Sequence, residues 1–188
     1  MDEAFTCTAF EGERRLAAGP AAAVALAVKR AAASGASVLV FDDRSGRPVD
    51  FDLRGSDAEV TARLEPAPPA PRPAGRPKLG VVAREVTLLP RHWDWLAAQP
   101  GGASVALRKL VEAARSAGAG EEGRRQAREA ADRFMGAMLG DACGYEEAAR
   151  ALYAGDADRF RSLSEGWPAD LRDHARRLAG PAFAAEAA

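Results

Sequence analysis

The sequence from Gly80 to Ala117 reads GVVAREVTLLPRHWDWLAAQPGGASVALRKLVEAARSA. Its first ten residues, Gly80 to Leu89, are rich in Val, Leu and Thr and predict a strand. Pro90 stops that strand because proline has no backbone N–H. A short helix is predicted over Arg91 to Gln99, and Ser104 is the predicted N-cap of a second helix that runs through Ala117. The pattern therefore predicts one strand followed by two helices.

The second of these helices has a predicted apolar stripe. Its members follow the i, i+3, i+4, i+7 spacing of one helix face, and they are Leu107, Leu110, Val111 and Ala114. Charged side chains lie off the stripe, at Arg108, Lys109, Glu112 and Arg115.

The preceding residues, 1–64, predict a small α+β domain. Its predicted elements are a strand Phe5–Phe10 that ends in a turn at Gly12, a helix Pro20–Ala33, a central strand Val38–Phe41, a half-buried strand Val49–Leu53 and a capped helix from Ser56 to Leu64. The half-buried strand is predicted from alternation, since Val49, Phe51 and Leu53 alternate with Asp50, Asp52 and Arg54.

Two further segments complete the predicted organisation. Residues 65–79 begin EPAPPAPRPAGRPK and hold six of the twelve prolines, which predicts a stiff, extended and basic linker. We call residues 80–118 the middle segment. Residues 119–188 predict a helical C-terminal domain with helices near 121–139, 145–153, 157–163 and 168–178, and Phe160 and Trp167 are predicted to anchor its core. The predicted fold class is α+β, with the linker and the middle segment between two domains.

The bulk properties favour a soluble, cytoplasmic protein. The longest apolar stretch, Ala17 to Val28, is interrupted by Gly19 and Pro20 and is too short to span a bilayer. The acidic start at Met1-Asp2-Glu3 does not resemble a secretory signal. The net charge is −1, but residues 65–118 carry 8 basic and 4 acidic side chains, a net charge of +4. This concentration of positive charge is the feature that favours an acidic partner.

No pattern in the sequence predicts catalysis. Asp42, Asp43, Asp50 and Asp52 could converge and hold Mg²⁺, but their spacing matches no known ligand motif, and a solvated strand face is the preferred interpretation. His92 and His174 have no paired Cys or Ser motif, and Cys7 and Cys143 match no metal or redox spacing. We therefore expect no enzyme, no cofactor, no metal site and no small-molecule substrate.

The middle segment resembles the ribbon-helix-helix DNA-binding motif. Leu89, Trp93 and Leu96 have the spacing that joins the strand to the first helix in that family. The resemblance implies a homodimer whose paired strands enter the major groove of double-stranded DNA, while the N-terminus of each second helix meets a phosphate.

On this hypothesis the predicted DNA-binding residues fall into three groups. Arg84 and Thr87 lie on the strand, and Arg84 is the candidate for contact with a base edge. The phosphate contacts are Arg76, Lys78, Arg91, Arg108 and Lys109. The backbone N–H groups come from Gly102, Ala103 and Ser104, where two glycines let the chain approach a phosphate closely.

The register of the predicted strand is open. If Leu89 is buried, then Arg84, Val86 and Leu88 face outward, and two of these three cannot hydrogen-bond to bases. The other register turns Glu85 and Thr87 outward, because a shift of one residue exchanges the two faces of a strand. Any DNA contact would therefore depend more on phosphates than on bases.

Several stretches together resemble a bacterial family known as domain of unknown function 2239. They are FDDRSGRPVDFDLRG (41–55), GRPKLGVVAREVTLLPRHWDWL (75–96), QPGGAS (99–104) and RFMGAM (133–138). This resemblance runs nearly end to end. It implies that all the segments belong to one recurring unit, and it implies no activity.

Two hypotheses for function follow. The first is a dimeric DNA-binding regulator that contacts mainly phosphates. The alternative is a protein-interaction or scaffold module, which dimerises through the strand of the middle segment without binding DNA.

Overall fold

The computed structural model describes residues 5–65, 82 and 84–184. Its elements in chain order are β1 (Thr6–Glu11), β2 (Arg14–Pro20), α1 (Ala21–Ala33), β3 (Val38–Asp42), α2 (Asp57–Leu64), α3 (Pro90–Ala97), α4 (Gly102–Met138), α5 (Tyr145–Ala154), α6 (Ala157–Leu163), α7 (Ala169–Ala179) and a 3₁₀ turn (Gly180–Phe183). This architecture confirms the α+β class.

The three described strands form an antiparallel sheet in the order β2-β1-β3. The predicted strand Val38–Phe41 is present but lies at an edge, because β1 takes the central position. The second edge strand, β2, was not predicted, since its sequence RRLAAGP has no continuous apolar run. Gly12 forms the predicted turn between β1 and β2 with a φ of 57°, in the left-handed region that favours glycine.

Both faces of the sheet are covered. Cys7 and Ala9 on β1 and Val40 on β3 pack against α1. On the opposite face, Phe10 and Phe41 join a hydrophobic cluster built by α4 to α7. Successive side chains of a strand point to opposite faces, and cover on both sides explains why consecutive residues of β1 are buried.

The predicted strand Val49–Leu53 is wrong as a strand, although its burial pattern is correct. Phe51 and Leu53 are half-buried against the α1 side of the sheet, while Asp50, Asp52 and Arg54 are exposed. A single isolated bridge joins Phe41 to Pro48, and the next residue, Val49, donates its N–H to Val40. The capping box at Ser56 is confirmed, with the side chain of Glu59 returning to the Ser56 N–H at 2.7 Å.

The C-terminal helices agree closely with the prediction. The structure places α5, α6 and α7 within one residue of their predicted bounds at each end. Phe160 and Trp167 are buried with ring centroids 6.4 Å apart, and the indole Nε1 donates to the Cys143 carbonyl at 3.0 Å. The predicted core of these helices is therefore confirmed.

The described contacts group the chain into two compact units. One is formed by the described parts of Met1–Pro66 and Glu121–Ala188, and the other by those of Ala67–Gly120. This grouping differs from the predicted separation of residues 1–64 from residues 119–188. The sheet and the C-terminal helices belong to one unit because they share a hydrophobic cluster, in which Phe10 of the sheet packs against Phe134 of α4.

The middle segment departs from its predicted pattern in two ways. The structure describes residues 82 and 84–89 of the predicted strand 80–89, and these residues form no strand. The strand that the ribbon-helix-helix resemblance implies is therefore absent from them. The second helix, α4, begins at Gly102 and continues to Met138, so the predicted break between 117 and 121 is wrong. A helical glycine costs only about 1 kcal/mol relative to alanine, and the surrounding Ala, Glu and Arg residues offset the cost of Gly118 and Gly120.

No helix within the described residues is long and apolar enough to cross a membrane.

Candidate functional site

The structure places the predicted DNA-binding residues of the middle segment mostly at the surface. The exposed ones are Arg84, Thr87, Arg91, Ser104, Arg108 and Lys109, whereas Gly102 and Ala103 are half-buried. Arg76 and Lys78 lie outside the described residues. The structure does not gather the exposed residues into a closed pocket, so the arrangement suits a surface contact rather than the enclosure of a ligand.

The start of α4 is marked by two glycines in the left-handed backbone region. Gly101 and Gly102 have φ values of 86° and 73°, and the Gly102 N–H donates to the Gln99 carbonyl at 3.0 Å. Ser104 lies two residues inside the helix and is not its N-cap as predicted; its carbonyl accepts from Arg108 Nε at 3.1 Å. The first N–H groups of a helix have no acceptor within the helix, which leaves this end of α4 suited to an acidic group.

The most prominent feature of the middle segment is its uncovered apolar surface. Seven large apolar side chains are between 40% and 71% exposed, namely Val82, Val86, Leu89, Trp93, Trp95, Leu110 and Val111. Within residues 84–115, only Leu96 and Ala106 are buried. The predicted apolar stripe of the second helix is thus only partly covered by the described residues, since Leu107 is half-buried and Leu110, Val111 and Ala114 are exposed.

A second candidate site lies in the unit that contains the sheet. Arg177 of α7 directs its Nη2 atom at three acceptors: Asp43 Oδ1 at 2.7 Å, His174 Nδ1 at 3.0 Å and Thr8 Oγ1 at 3.3 Å. Thr8 also donates to Asp43 Oδ1 at 2.7 Å. We call these four residues the Arg177 cluster. It joins β1, the turn after β3 and the last α-helix, which are far apart in the sequence.

A cleft of about 850 Å³ opens beside the Arg177 cluster, and we call it the sheet cleft. Among the described residues, its polar lining consists of Thr6, Asp42, Asp43, Arg44, Gln126 and Arg177, and its apolar lining includes Phe5, Ala127, Ala130, Leu178 and Pro181. Cavities of this size hold small organic ligands, which typically contact an apolar wall and a few fixed polar groups.

His174 is the buried member of the Arg177 cluster. Its ring lies 4.4 Å from the ring of Phe134 and 5.1 Å from that of Phe10, measured between centroids. Burial, followed by the charge of Arg177, lowers the pKa of His174 to about 4. The imidazole is therefore neutral at pH 7 and accepts from Arg177 at Nδ1, which a protonated ring could not do. Its Nε2 is buried without a partner in the described part of the chain.

Three of the four aspartates considered for Mg²⁺, Asp42, Asp43 and Asp52, take other partners, and Asp50 is exposed. Asp42 Oδ1 accepts from the Arg44 N–H at 2.8 Å and Asp42 Oδ2 from Ser45 Oγ at 2.7 Å, while Asp52 pairs with Arg54. No group of three His, Cys, Asp or Glu residues that could hold a metal occurs among the described residues. These contacts explain the carboxylates as turn and ion-pair residues.

Cys7 lies near the same carboxylates but is chemically inert. Burial is the main cause that raises the pKa of the Cys7 thiol to about 12, and the charges of Asp43 and Asp42 add to it. The thiol is protonated at neutral pH and is a poor nucleophile.

The sequence reasoning missed the Arg177 cluster. One signal was available, because His174 and Arg177 are three residues apart and share a helix face. No local pattern indicated the contributions of Thr8 and Asp43, since both residues lie more than 130 positions before Arg177 in the sequence.

The comparisons with known proteins identify a family and nothing finer. A family model described as "Uncharacterized protein conserved in bacteria (DUF2239)" matches residues 6–179, which include the sheet, the middle segment and the C-terminal helices. No curated protein and no solved structure matches the chain. The chain belongs to this bacterial family of uncharacterized proteins.

Proposed function

We propose that the protein is a self-associating interaction module, in which two copies pair through the middle segment. The observation that carries the proposal is the exposure of seven large apolar side chains on so small a unit. A concentration of large exposed apolar side chains on a folded protein favours the binding of another surface. The proposal assigns the protein a binding role and no catalytic activity.

A second copy is the partner that fits best. Residues 84–89 make no backbone hydrogen bond through their N–H groups to any described residue, so both edges of this stretch can still pair. The same stretch in a second copy offers identical groups, and a two-fold axis lets each satisfy the other in an antiparallel pair. Apolar side chains within the stretch, such as Val86 and Leu89, would then be covered.

Proline substitutions within this stretch test the pairing. In a two-stranded ribbon, alternate N–H groups point to the partner, so either Val86→Pro or Thr87→Pro must remove a paired donor. We expect one of these variants to raise the dimer dissociation constant at least about tenfold, equivalent to about 1.4 kcal/mol. Sedimentation velocity of the full-length protein over a range of concentrations measures this change.

Leu39→Glu is the control for the proline variants. Leu39 is an exposed apolar residue on edge strand β3, outside the middle segment, and its substitution should leave the dimer unchanged. A wild-type chain that stays monomeric at every concentration contradicts the proposal. Dimers that persist in both proline variants contradict it too.

Contact with double-stranded DNA is a second candidate function. It is favoured by the exposure of Arg84, Arg91, Arg108 and Lys109 in the segment where positive charge is concentrated. Thr87, Gly102, Ala103 and Ser104 would add polar contacts near the start of α4. Such binding would depend on phosphates and would require the cytoplasmic location that the sequence predicts.

The salt dependence of binding tests this second candidate. Removing one phosphate-binding side chain lowers the slope of log K against log salt by about 0.9, so Arg108→Ala with Lys109→Ala should lower it by about 2. Fluorescence anisotropy with a mixed-sequence duplex gives the slope. Arg150→Ala with Arg159→Ala, which removes two exposed arginines of the C-terminal helices, is the matched control. Absence of binding at low salt, or an equal change of slope in the control, contradicts the candidate.

A further inference from the structure

We propose that the sheet cleft binds a free α-amino acid with an apolar side chain. The site lies in the unit formed by the sheet and the C-terminal helices, and the inference is independent of the middle segment. It rests on three features of the cleft: fixed donors from Arg177, an acceptor on Asp43 beside them, and an apolar wall.

Arg177 is held in place from one side. Within the described residues, every hydrogen bond that Arg177 donates leaves from Nη2, and its acceptors are Thr8, Asp43 and His174. A guanidinium carries five N–H hydrogens, so those on Nη1 and Nε remain for an acceptor outside the cluster. The side chain is half exposed and lines the cleft. Arg177 therefore presents a fixed positive group to an oxygen anion, such as a carboxylate.

Asp43 supplies the complementary acceptor. Its Oδ1 accepts from Thr8 and Arg177, and its Oδ2 has no hydrogen bond within the described residues. Oδ2 is not among the buried polar atoms without a partner, and Asp43 lines the cleft. A carboxylate oxygen that is open to the cleft favours a cationic donor, such as an ammonium group.

The placing of opposite charges favours a zwitterion over a simple ion. Among the described residues, Arg177 and Asp43 line the cleft side by side and carry opposite charges. A ligand with adjacent carboxylate and ammonium groups would match both the donors of Arg177 and the acceptor of Asp43, whereas a simple ion would match only one of them. The α-amino acid backbone is the small group that has this arrangement.

The apolar wall selects the side chain of the ligand. Ala127 and Ala130 of α4, with Leu178 and Pro181 near the end of α7, line the cleft together with Phe5. These five described residues are apolar and offer no charged partner to a ligand side chain. An apolar side chain that packs on this wall takes both surfaces out of water, which favours binding.

Three probes of one shape test the inference on the wild-type, full-length protein. L-phenylalanine has both charged groups, 3-phenylpropionate lacks the ammonium, and 2-phenylethylamine lacks the carboxylate. Isothermal titration calorimetry should show L-phenylalanine binding at least about tenfold more tightly than either of the others, a difference of about 1.4 kcal/mol. Equal dissociation constants for L-phenylalanine and 3-phenylpropionate would overturn the inference, as would no binding of L-phenylalanine up to about 10 mM, well above a millimolar dissociation constant.

Two variants assign the roles of the residues. Asp43→Asn keeps an oxygen for Thr8 and Arg177 but removes the charge, so it should weaken the binding of L-phenylalanine at least tenfold and should not weaken that of 3-phenylpropionate. Arg177→Lys should weaken the binding of both L-phenylalanine and 3-phenylpropionate. Asp158→Asn and Arg150→Lys are matched controls at exposed positions of α6 and α5 and should change neither constant. Unchanged binding of L-phenylalanine to the Asp43→Asn protein would overturn the inference, and the wild-type comparison decides it even if a variant fails to fold.

Discussion

Phe134→Ala is expected to lower the free energy of unfolding by about 3–5 kcal/mol, the range for removing a buried phenylalanine. Phe134 is fully buried, and its ring centroid lies 5.0 Å from that of Phe41, 5.4 Å from that of Phe10 and 4.4 Å from that of His174. The substitution leaves a cavity between the sheet and α7, and side chains on both sides of it become less well packed. Urea denaturation followed by far-ultraviolet circular dichroism measures the change.

The same variant tests whether the sheet and the C-terminal helices unfold together. If they form one cooperative unit, amide hydrogen exchange should accelerate in β1 and β3 as much as in α7, because all of them contact the same ring. Leu39→Ala is the control, since this side chain is about half exposed on the outer part of β3 and its removal should cost little. A stability loss below about 1.5 kcal/mol, far under the range for a buried phenylalanine, would contradict the prediction. So would faster exchange that stays confined to the helices.

Most helices of this fold could be predicted from local chemistry. The capping box at Ser56, Pro90 at the start of α3 and Asp156 before α6 each mark a helix boundary by satisfying or omitting a backbone N–H. Such signals lie within four residues of the boundary that they set. They are therefore visible in the sequence without knowledge of tertiary contacts.

The sheet was harder to predict because strand pairing is not local. The second strand, β2, has two adjacent exposed arginines followed mainly by small residues, and its pairing with β1 makes it a strand. Residues 49–54 show the opposite error. They have the alternation of a strand and half-bury Phe51 and Leu53, but within the described residues only the isolated bridge between Phe41 and Pro48 joins this part of the chain to β3. Alternation reports burial of one face and does not report a hydrogen-bonded partner.

The two candidate sites were predictable to different degrees. The basic residues and apolar stripe of the middle segment are sequence features, and the structure adds that three of the four stripe residues, Leu110, Val111 and Ala114, are exposed. The Arg177 cluster depends on contacts across 134 and 169 residues, which join Arg177 to Asp43 and Thr8. The composition of a single segment gives no indication of such a meeting. It follows from the sheet and α7 packing on the same hydrophobic cluster.

The second large effect is expected at Gly46, which lies where the turn after β3 meets α4. A Cβ atom at this position would lie 2.0 Å from the carbonyl oxygen of Ala130, and Gly46 has a φ of 66°. Gly46→Ala therefore combines strain from the left-handed backbone, about 1–2 kcal/mol, with a steric clash against helix backbone that cannot rotate away, about 1–3 kcal/mol. We expect a total loss of about 2–5 kcal/mol in the free energy of unfolding, measured by urea denaturation.

Gly12→Ala separates the two causes. Gly12 has a φ of 57°, close to that of Gly46, but a Cβ there would have no atom within 4 Å. Its substitution should therefore cost the backbone strain alone, about 1–2 kcal/mol. The difference between the two variants measures the close approach of the turn to α4, which the Arg133 Nη1 bond to the Ser45 carbonyl at 2.9 Å also holds. Equal losses of stability in the two variants would mean that the turn does not rest against Ala130. Asp42, Asp43 and Arg44 belong to the same turn, so such a result would also contradict their position in the lining of the sheet cleft.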